Sequence, residues 1–366
     1  MQFTHRRDGT RKRRNFLRVK LAVYLLPDRA PRMNPLTFSL LRLLSDGEFH
    51  SGETMARALA VSRASVCNAL QGLDPLELKL FRIRGRGYRL AQPLILLDTA
   101  QVVRYLGAGA SRFAIEVLAS TESTNTLLLQ RAAQGAVSGS VIAAEWQTQG
   151  RGRRGRVWHA MPGAALTFSL LWRFQHGASF LSGLSLAVGV AVIRALKVLG
   201  IADAGLKWPN DIWWQGSKLA GILIEMHGDM LGPSAAVIGI GLNCRMPDLL
   251  RGKIDQPATD LETASGSSLD RNCVLAVLLL ELERVIEAFA RDGFHPLRVE
   301  WQRHHVFQGR TVRVATPDGA CTTGMVKGVA EDGALLLETD TGDKRFFGGE
   351  VSLFRVPDLD DSEYVK

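Results

Sequence analysis

Cysteine is scarce: the 366 residues hold only Cys67, Cys244, Cys273 and Cys321, far apart and with no CxxC pair. That excludes a disulfide-stapled scaffold and the usual zinc spacings, so no metal-ligating residue is assigned. Long hydrophobic runs are missing too. The longest, Leu181 to Leu199, is broken by Arg194 and Lys197. A bilayer span needs about 18 charge-free residues, so a buried helix and no membrane partner are expected. The run Leu21 to Leu26 is too short for a cleavable leader, and Pro27-Asp28-Arg29 follows it without a small-residue cleavage site. A reduced, cytoplasmic protein is the expectation. At 46% hydrophobic and 22% charged, the chain is neither disordered, collagenous nor a coiled coil, and its length suits two or three domains.

Acidic residues are nearly absent at the start. Residues 1–33 carry ten Lys or Arg against Asp8 and Asp28, so this stretch supplies +8 of the net +9. The rest is close to neutral, which disfavours a general RNA-binding protein. Residues 1–32 read as a basic extension: either an over-called start upstream of Met33 or an arm adding phosphate affinity.

From Met33 the pattern turns helical. Leu40, Leu41 and Leu44 share one face, and Asp46-Gly47 ends that helix. Ser51 caps a second helix with Met55 and Leu59 inward, and Ser62 caps a third with Val66, Leu70 and Leu73 inward. Two helices across so tight a turn predict a helix-turn-helix, with Arg63, Ser65, Asn68 and Gln71 facing out. Lys79 to Arg89 then alternates as a hairpin without one acid. It reads as a wing packed through Phe81 and Ile83, with Arg82, Arg84 and Arg86 reaching phosphate. The candidate DNA contacts are therefore Arg63, Ser65, Asn68, Arg82, Arg84 and Arg86.

Past Pro93 the apolar stretches alternate between strand-like and helix-like. Strands are expected at Val141 to Ala144, Leu166 to Trp172, Leu219 to Ile224 and Ala236 to Leu242, and helices at 181–199 and 273–290, the latter closed by Gly293. Three segments carry chemistry. Ser123-Thr124-Asn125 opens a helix; such residues are N-caps in any case, and can also face a polar ligand. Gln147 to Trp158 packs three glycines and four arginines into seven positions, Gly150 to Arg156. Glycines let backbone approach closely and arginines grip phosphate or carboxylate, so an anion site is expected, although no GK[ST] makes it a Walker loop. Lys207-Trp208-Pro209-Asn210-Asp211 gives an ammonium a defined direction. The strand Ile238 to Asn243 has glycines where a ligand or another backbone comes close. From about Gly309, short strands between Asp-Gly and Thr-Gly turns predict a small β-barrel of SH3-like type, and residues 359–366 form an acidic tail.

In this order and spacing, these segments resemble the bifunctional biotin protein ligases, also called biotin operon repressors. The likeness runs from about Met33 to Val356 and rests on Ser123-Thr124-Asn125, Gly150 to Arg156 with Trp158, Lys207 to Asp211, Lys218 to Leu223 and Gly239 to Asn243. It implies an α+β multidomain chain: a winged helix-turn-helix at 33–92, a mixed α/β ligase domain related to class II synthetases at 93–307, and an SH3-like domain at 308–358. It also implies ATP and biotin as substrates with Mg2+, and biotinyl-5′-AMP as intermediate. Expected partners are the biotin carboxyl carrier domain of acetyl-CoA carboxylase, operator DNA, and a second copy in a homodimer when biotinyl-AMP is bound.

By position, the resemblance gives Ser123, Thr124, Asn125, Gln147, Arg151, Gly152, Arg153 and Lys207 to biotin. Lys207, Arg153 and Arg151 become catalytic, and Gly150, Arg154, Gly155, Arg156 and Asn243 go to the phosphate and adenylate. An adenine-covering loop is expected within Arg245 to Leu261, where no aromatic occurs. Two other readings stay open: a lipoate or octanoate protein ligase, and a ligand-sensing repressor without ligase activity.

Overall fold

The computed structural model describes residues 35–71, 73, 78–228 and 232–353. The basic extension at 1–32 and the acidic tail at 359–366 lie outside the described residues.

Apolar spacing and polar caps build the first layer. Helix α1 (Pro35–Leu44) buries Leu40, Leu41 and Leu44, and Gly47 turns the chain after it at φ +74°. Ser51 caps α2 (Gly52–Ala58) by accepting from Thr54 N at 3.0 Å; Ser62 does the same for α3 (Arg63–Gln71) through Ser65 N, also at 3.0 Å. Each such cap is worth about 1 kcal/mol. Strands β1 (Leu80–Ile83) and β2 (Gly87–Leu90) form the expected hairpin.

The hairpin's facing corrects the sequence reading. Leu80 pairs with Leu90, which is buried, whereas Phe81 and Ile83 are 46% and 43% exposed. One step of register exchanges the two faces of a strand, and with apolar residues at 80, 81 and 83 alternation could not choose between them.

The central sheet has seven strands in the order β3-β4-β5-β9-β8-β7-β6. They are β3 (Ala114–Thr121), β4 (Ser140–Gln147), β5 (Ala165–Phe174), β6 (Gly205–Lys207), β7 (Asp211–Trp214), β8 (Ser217–Gly228) and β9 (Ser234–Asn243). Only the β3–β4 pair is parallel; the others are antiparallel. Strands β5 and β9 are buried nearly end to end, as expected where helices cover both faces. One face carries α4 (Thr99–Leu106), α6 (Leu184–Val198) and, later in the chain, α9 (Arg271–Asp292); the other carries α5 (Thr124–Ala133). Between β9 and α9 lie two short helices, α7 (Asp248–Arg251) and α8 (Leu261–Ser265). Gly293 closes α9 at φ +67°. No helix among the described residues is long and apolar enough to cross a membrane.

Helix α10 (Arg298–His304) leads to a second, five-stranded antiparallel sheet ordered β13-β12-β11-β10-β14. Its strands are β10 (Thr311–Ala315), β11 (Cys321–Val329), β12 (Leu335–Thr339), β13 (Gly342–Phe346) and β14 (Glu350–Leu353). Val312, Val314 and Val326 share one apolar core with Leu206, Trp208 and Trp301, so this sheet is packed onto the part of the chain that holds the central sheet.

A buried ion pair fixes the segment that joins the first three helices to the central sheet. Glu145 and Arg271 are each 2% exposed, with Arg271 Nη2 2.9 and 2.8 Å from the two carboxylate oxygens. Arg271 also donates to Ile95 O and Ala165 O, and Leu97 N donates to Glu145. Removing one partner would strand a buried charge, at a cost of about 3–5 kcal/mol.

Candidate functional site

A cleft of about 840 Å³ opens where β4, β8 and β9 meet the arginine-rich loop and the second sheet. Helix α5 presents its N-terminus here because Ser123 caps it, accepting from Thr126 N at 3.4 Å. Gln147, at the end of β4, accepts from Thr124 N at 2.8 Å and from Thr124 Oγ1 at 3.1 Å. Ser169 Oγ stands 2.5 Å from Asn125 Oδ1 and 2.7 Å from Thr124 Oγ1. A Cβ at Gly239 would come within 2.2 Å of Asn125 Oδ1, so that glycine is what lets Asn125 lie against the sheet.

The loop supplies the cations. Arg151, Gly152, Arg153, Arg154 and Arg156 line the cleft. Arg151 Nη2 reaches Glu225 Oε1 and Thr126 Oγ1, both at 3.0 Å. Arg153 Nη1 donates to Asn210 Oδ1 at 3.2 Å; burial, then the neighbouring Arg154, holds its guanidinium below the usual arginine value. Arg156 and Arg154 both pair with Glu350 of β14, Arg154 at 3.8 Å. Arg154 itself sits in the left-handed region at φ +56°.

Lys207 faces the loop from the β6–β7 hairpin, in register with Asp211. Its Nζ lies 4.3 Å over the Trp213 ring. Burial lowers its pKa below the ordinary lysine value; the nearby Asp211 acts in the opposite direction. Asp211 in turn pairs with Lys218 at 2.7 Å. Trp208 anchors this motif to the second sheet through its Nε1, which donates to Gly333 O at 3.0 Å, and the Trp208–Pro209 peptide is cis. The Trp158 ring lies against Gly241, where a Cβ would approach it to 2.4 Å, and its buried Nε1 has no hydrogen-bond partner among the described residues.

Most of the expected ligand residues thus meet in one place, and three do not. Gly150 and Gly155 are outside the cleft lining: Gly150 shapes the hairpin, its carbonyl accepting from Trp158 N at 2.9 Å, and Gly155 supplies a turn at φ +72°. Asn243 is buried at the end of β9, outside the cleft lining, and donates to Thr259 O at 3.0 Å, which ties down the following loop. Within the expected covering loop, Lys253, Ile254, Asp255 and Gln256 line the cleft. No group of three His, Cys, Asp or Glu that could hold a metal ion occurs among the described residues.

Glu350 was missed by the sequence reading, and Glu225, at the end of the segment Lys218 to Glu225, was given no role in it. Nothing local marks them, since each answers an arginine far away in the chain. Of the expected DNA contacts, Arg63 and Asn68 are exposed on α3, while Ser65 is partly engaged by Ser62, their hydroxyls being 2.9 Å apart. Arg82, Arg84 and Arg86 are exposed on the hairpin, and Arg86 stacks 4.7 Å over Phe49.

Fold and cleft together define a class: an α/β protein in which a cationic, glycine-bearing loop and a half-buried lysine line one cleft. Residues 117–243 match the biotin/lipoate A/B protein ligase family, and residues 307–354 match the biotin protein ligase C-terminal domain. The bifunctional ligase/repressor BirA of Escherichia coli is 38% identical over 320 residues, covering 87% of this chain and 98% of that one. The biotin–[acetyl-CoA-carboxylase] ligase of Mycobacterium tuberculosis is 38% identical over 64% of this chain and 86% of its own. Among solved structures, a biotin protein ligase from Aquifex aeolicus in complex with biotin and ATP superimposes with a TM-score of 0.56 at 28% identity, over 66% of this chain and 99% of that one. The chain belongs to the biotin protein ligase family, and the E. coli relative it spans nearly end to end is of the bifunctional ligase/repressor kind.

Proposed function

We propose that the protein joins biotin to ATP as biotinyl-5′-AMP, then transfers biotin to a lysine of a carrier domain such as that of acetyl-CoA carboxylase. It also binds operator DNA as a repressor. The convergence of Arg151, Arg153 and Lys207 with Thr124, Asn125 and Gln147 in one cleft carries this reading. The biotin carboxylate must attack the α-phosphorus of ATP with loss of pyrophosphate, so two anions are brought together. Fixed cations in a half-buried site offset that repulsion most as charge develops. A pure sensor needs affinity but no such activation.

In this reading Ser123, Thr124, Asn125 and Gln147 hold the biotin head. Arg151, Gly152 and Arg153 close over carboxylate and phosphate, and Lys207 stabilises charge on both. Arg154 and Arg156 exchange Glu350 for phosphate oxygens. Trp158 and Ile254 offer adenine its apolar surfaces. Magnesium brought by the nucleotide would offset phosphate charge there; no group of three His, Cys, Asp or Glu among the described residues would hold it without the nucleotide. Closure keeps water from the mixed anhydride until the acceptor amine attacks its acyl carbon and AMP leaves.

The assignment extends to the domains: a winged helix-turn-helix at 33–92, a ligase domain of class II synthetase kinship at 93–307 and an SH3-like domain at 308–358. A homodimer formed on the adenylate would set two wings on a palindromic operator.

Incubation with biotin, ATP and a purified carrier domain, followed by mass spectrometry, should find one modified acceptor lysine. The Arg153→Gly variant should release adenylate early and label bystander lysines as well. An unlabelled carrier would remove the ligase reading, and unchanged selectivity in the variant would remove Arg153 from the closing loop.

A further inference from the structure

Within the proposed function, both oxygens of one carboxylate join the two halves of the cleft. Glu225 on β8 accepts from Arg151 Nη2 at 3.0 Å through Oε1 and from Asn125 Nδ2 at 2.8 Å through Oε2. The second hydrogen of Asn125 Nδ2 goes to Leu223 O at 3.1 Å. The amide is therefore fixed, with Oδ1 turned to Ser169 and the Gly239 backbone. On the other side, Arg151 turns Nη2 to Glu225 and Thr126 while its side chain lines the cleft.

We propose that Glu225 is a positioning residue that couples the orientation of Asn125 in the small pocket to the placement of Arg151 in the cationic loop. A carboxylate suits this task because it offers acceptors only. A glutamine in its place presents one oxygen and one NH2, so either Arg151 or Asn125 would meet a donor. Lost charge-assisted bonds of this kind are the stronger class. The proposal rests on the biotin ligase reading, and concerns how that site is held together.

The test is a double-variant cycle in biotin-dependent ATP–pyrophosphate exchange, using the full chain with Glu225→Gln, Arg151→Gln and both. Glu225→Gln should raise the KM for biotin about tenfold, with Tm shifted by no more than about 2 °C. In the Arg151→Gln background the same change should cost less than about twofold, because the new amide can then turn its oxygen to Asn125. Glu225→Asp, which keeps the charge but reaches only one partner, should fall between wild type and Glu225→Gln, and guards against a folding defect in the latter. Additive losses in the double variant, or a wild-type KM in Glu225→Gln, would overturn the coupling. Absence of exchange in the wild-type protein would instead overturn the ligase reading itself.

Discussion

Four arginines crowd residues 151–156 and four more occupy the hairpin at residues 82–89, yet the two sets are held differently. In the cleft, Arg151 rests on Glu225, and Arg154 and Arg156 rest on Glu350. In the hairpin, Arg86 and Arg89 lie 4.7 and 4.9 Å over the Phe49 ring, and Arg89 also lies 5.1 Å over Phe81. A carboxylate orients a cation and also neutralises it, so a ligand must displace or share it. An aromatic ring orients a cation and leaves its charge to act outward. The first arrangement suits a small enclosed anion that has to be chosen; the second suits a long polyanion met at the surface.

The largest expected break between the two regions is Lys207→Ala. It should lower biotin-dependent exchange by about 10²- to 10³-fold, the usual loss for a fixed charge-stabilising donor, while gel-shift affinity for non-specific DNA stays within twofold. Next comes the paired change Arg84→Ala with Arg86→Ala. DNA affinity should drop about tenfold and the salt slope by about two, with exchange kept within twofold. A comparable loss of exchange would mean that the hairpin serves the enzyme.

Phe49→Leu should weaken DNA binding about threefold, and Phe49→Tyr should restore it, since the ring is what holds Arg86 and Arg89. Equal effects from the two variants would make Phe49 a packing residue only. The smallest effect is one of pH. Burial lowers the pKa of Lys207, and the protonated form is the useful one, so exchange should decline as pH rises through a value below 10.5. Lys207→Arg should move that limb upward. A pH series of ATP–pyrophosphate exchange with both proteins would reveal that limb and its movement.

Much of the architecture was legible because local rules agreed with the final packing. Ser51, Ser62 and Ser123 cap the helices they were expected to cap, and Gly293 closes α9. The strands at 141–144, 166–172, 219–224 and 236–242 all lie inside longer strands of the central sheet. What escaped depended on distant partners. The inward face of the hairpin was set by Leu80, Tyr88 and Leu90 packing onto the helices, which a period-two pattern does not encode. Glu350 matters because β14 carries it beside Arg156, about 194 residues earlier in the chain. Asn243 carries a family motif, yet its buried amide bonds Thr259 and serves the loop. The arginines of the cleft were thus visible from the sequence, and the roles of the acids that hold them, Glu225 and Glu350, were not.

ATP–pyrophosphate exchange with purified protein, given biotin, lipoate and octanoate in turn, tests the central claim most directly. Exchange with biotin, at least about a hundredfold above the other two acids, is the result expected of a cleft that makes biotinyl-adenylate. Exchange driven by lipoate or octanoate, or none with any acid despite tight biotin binding, would contradict it.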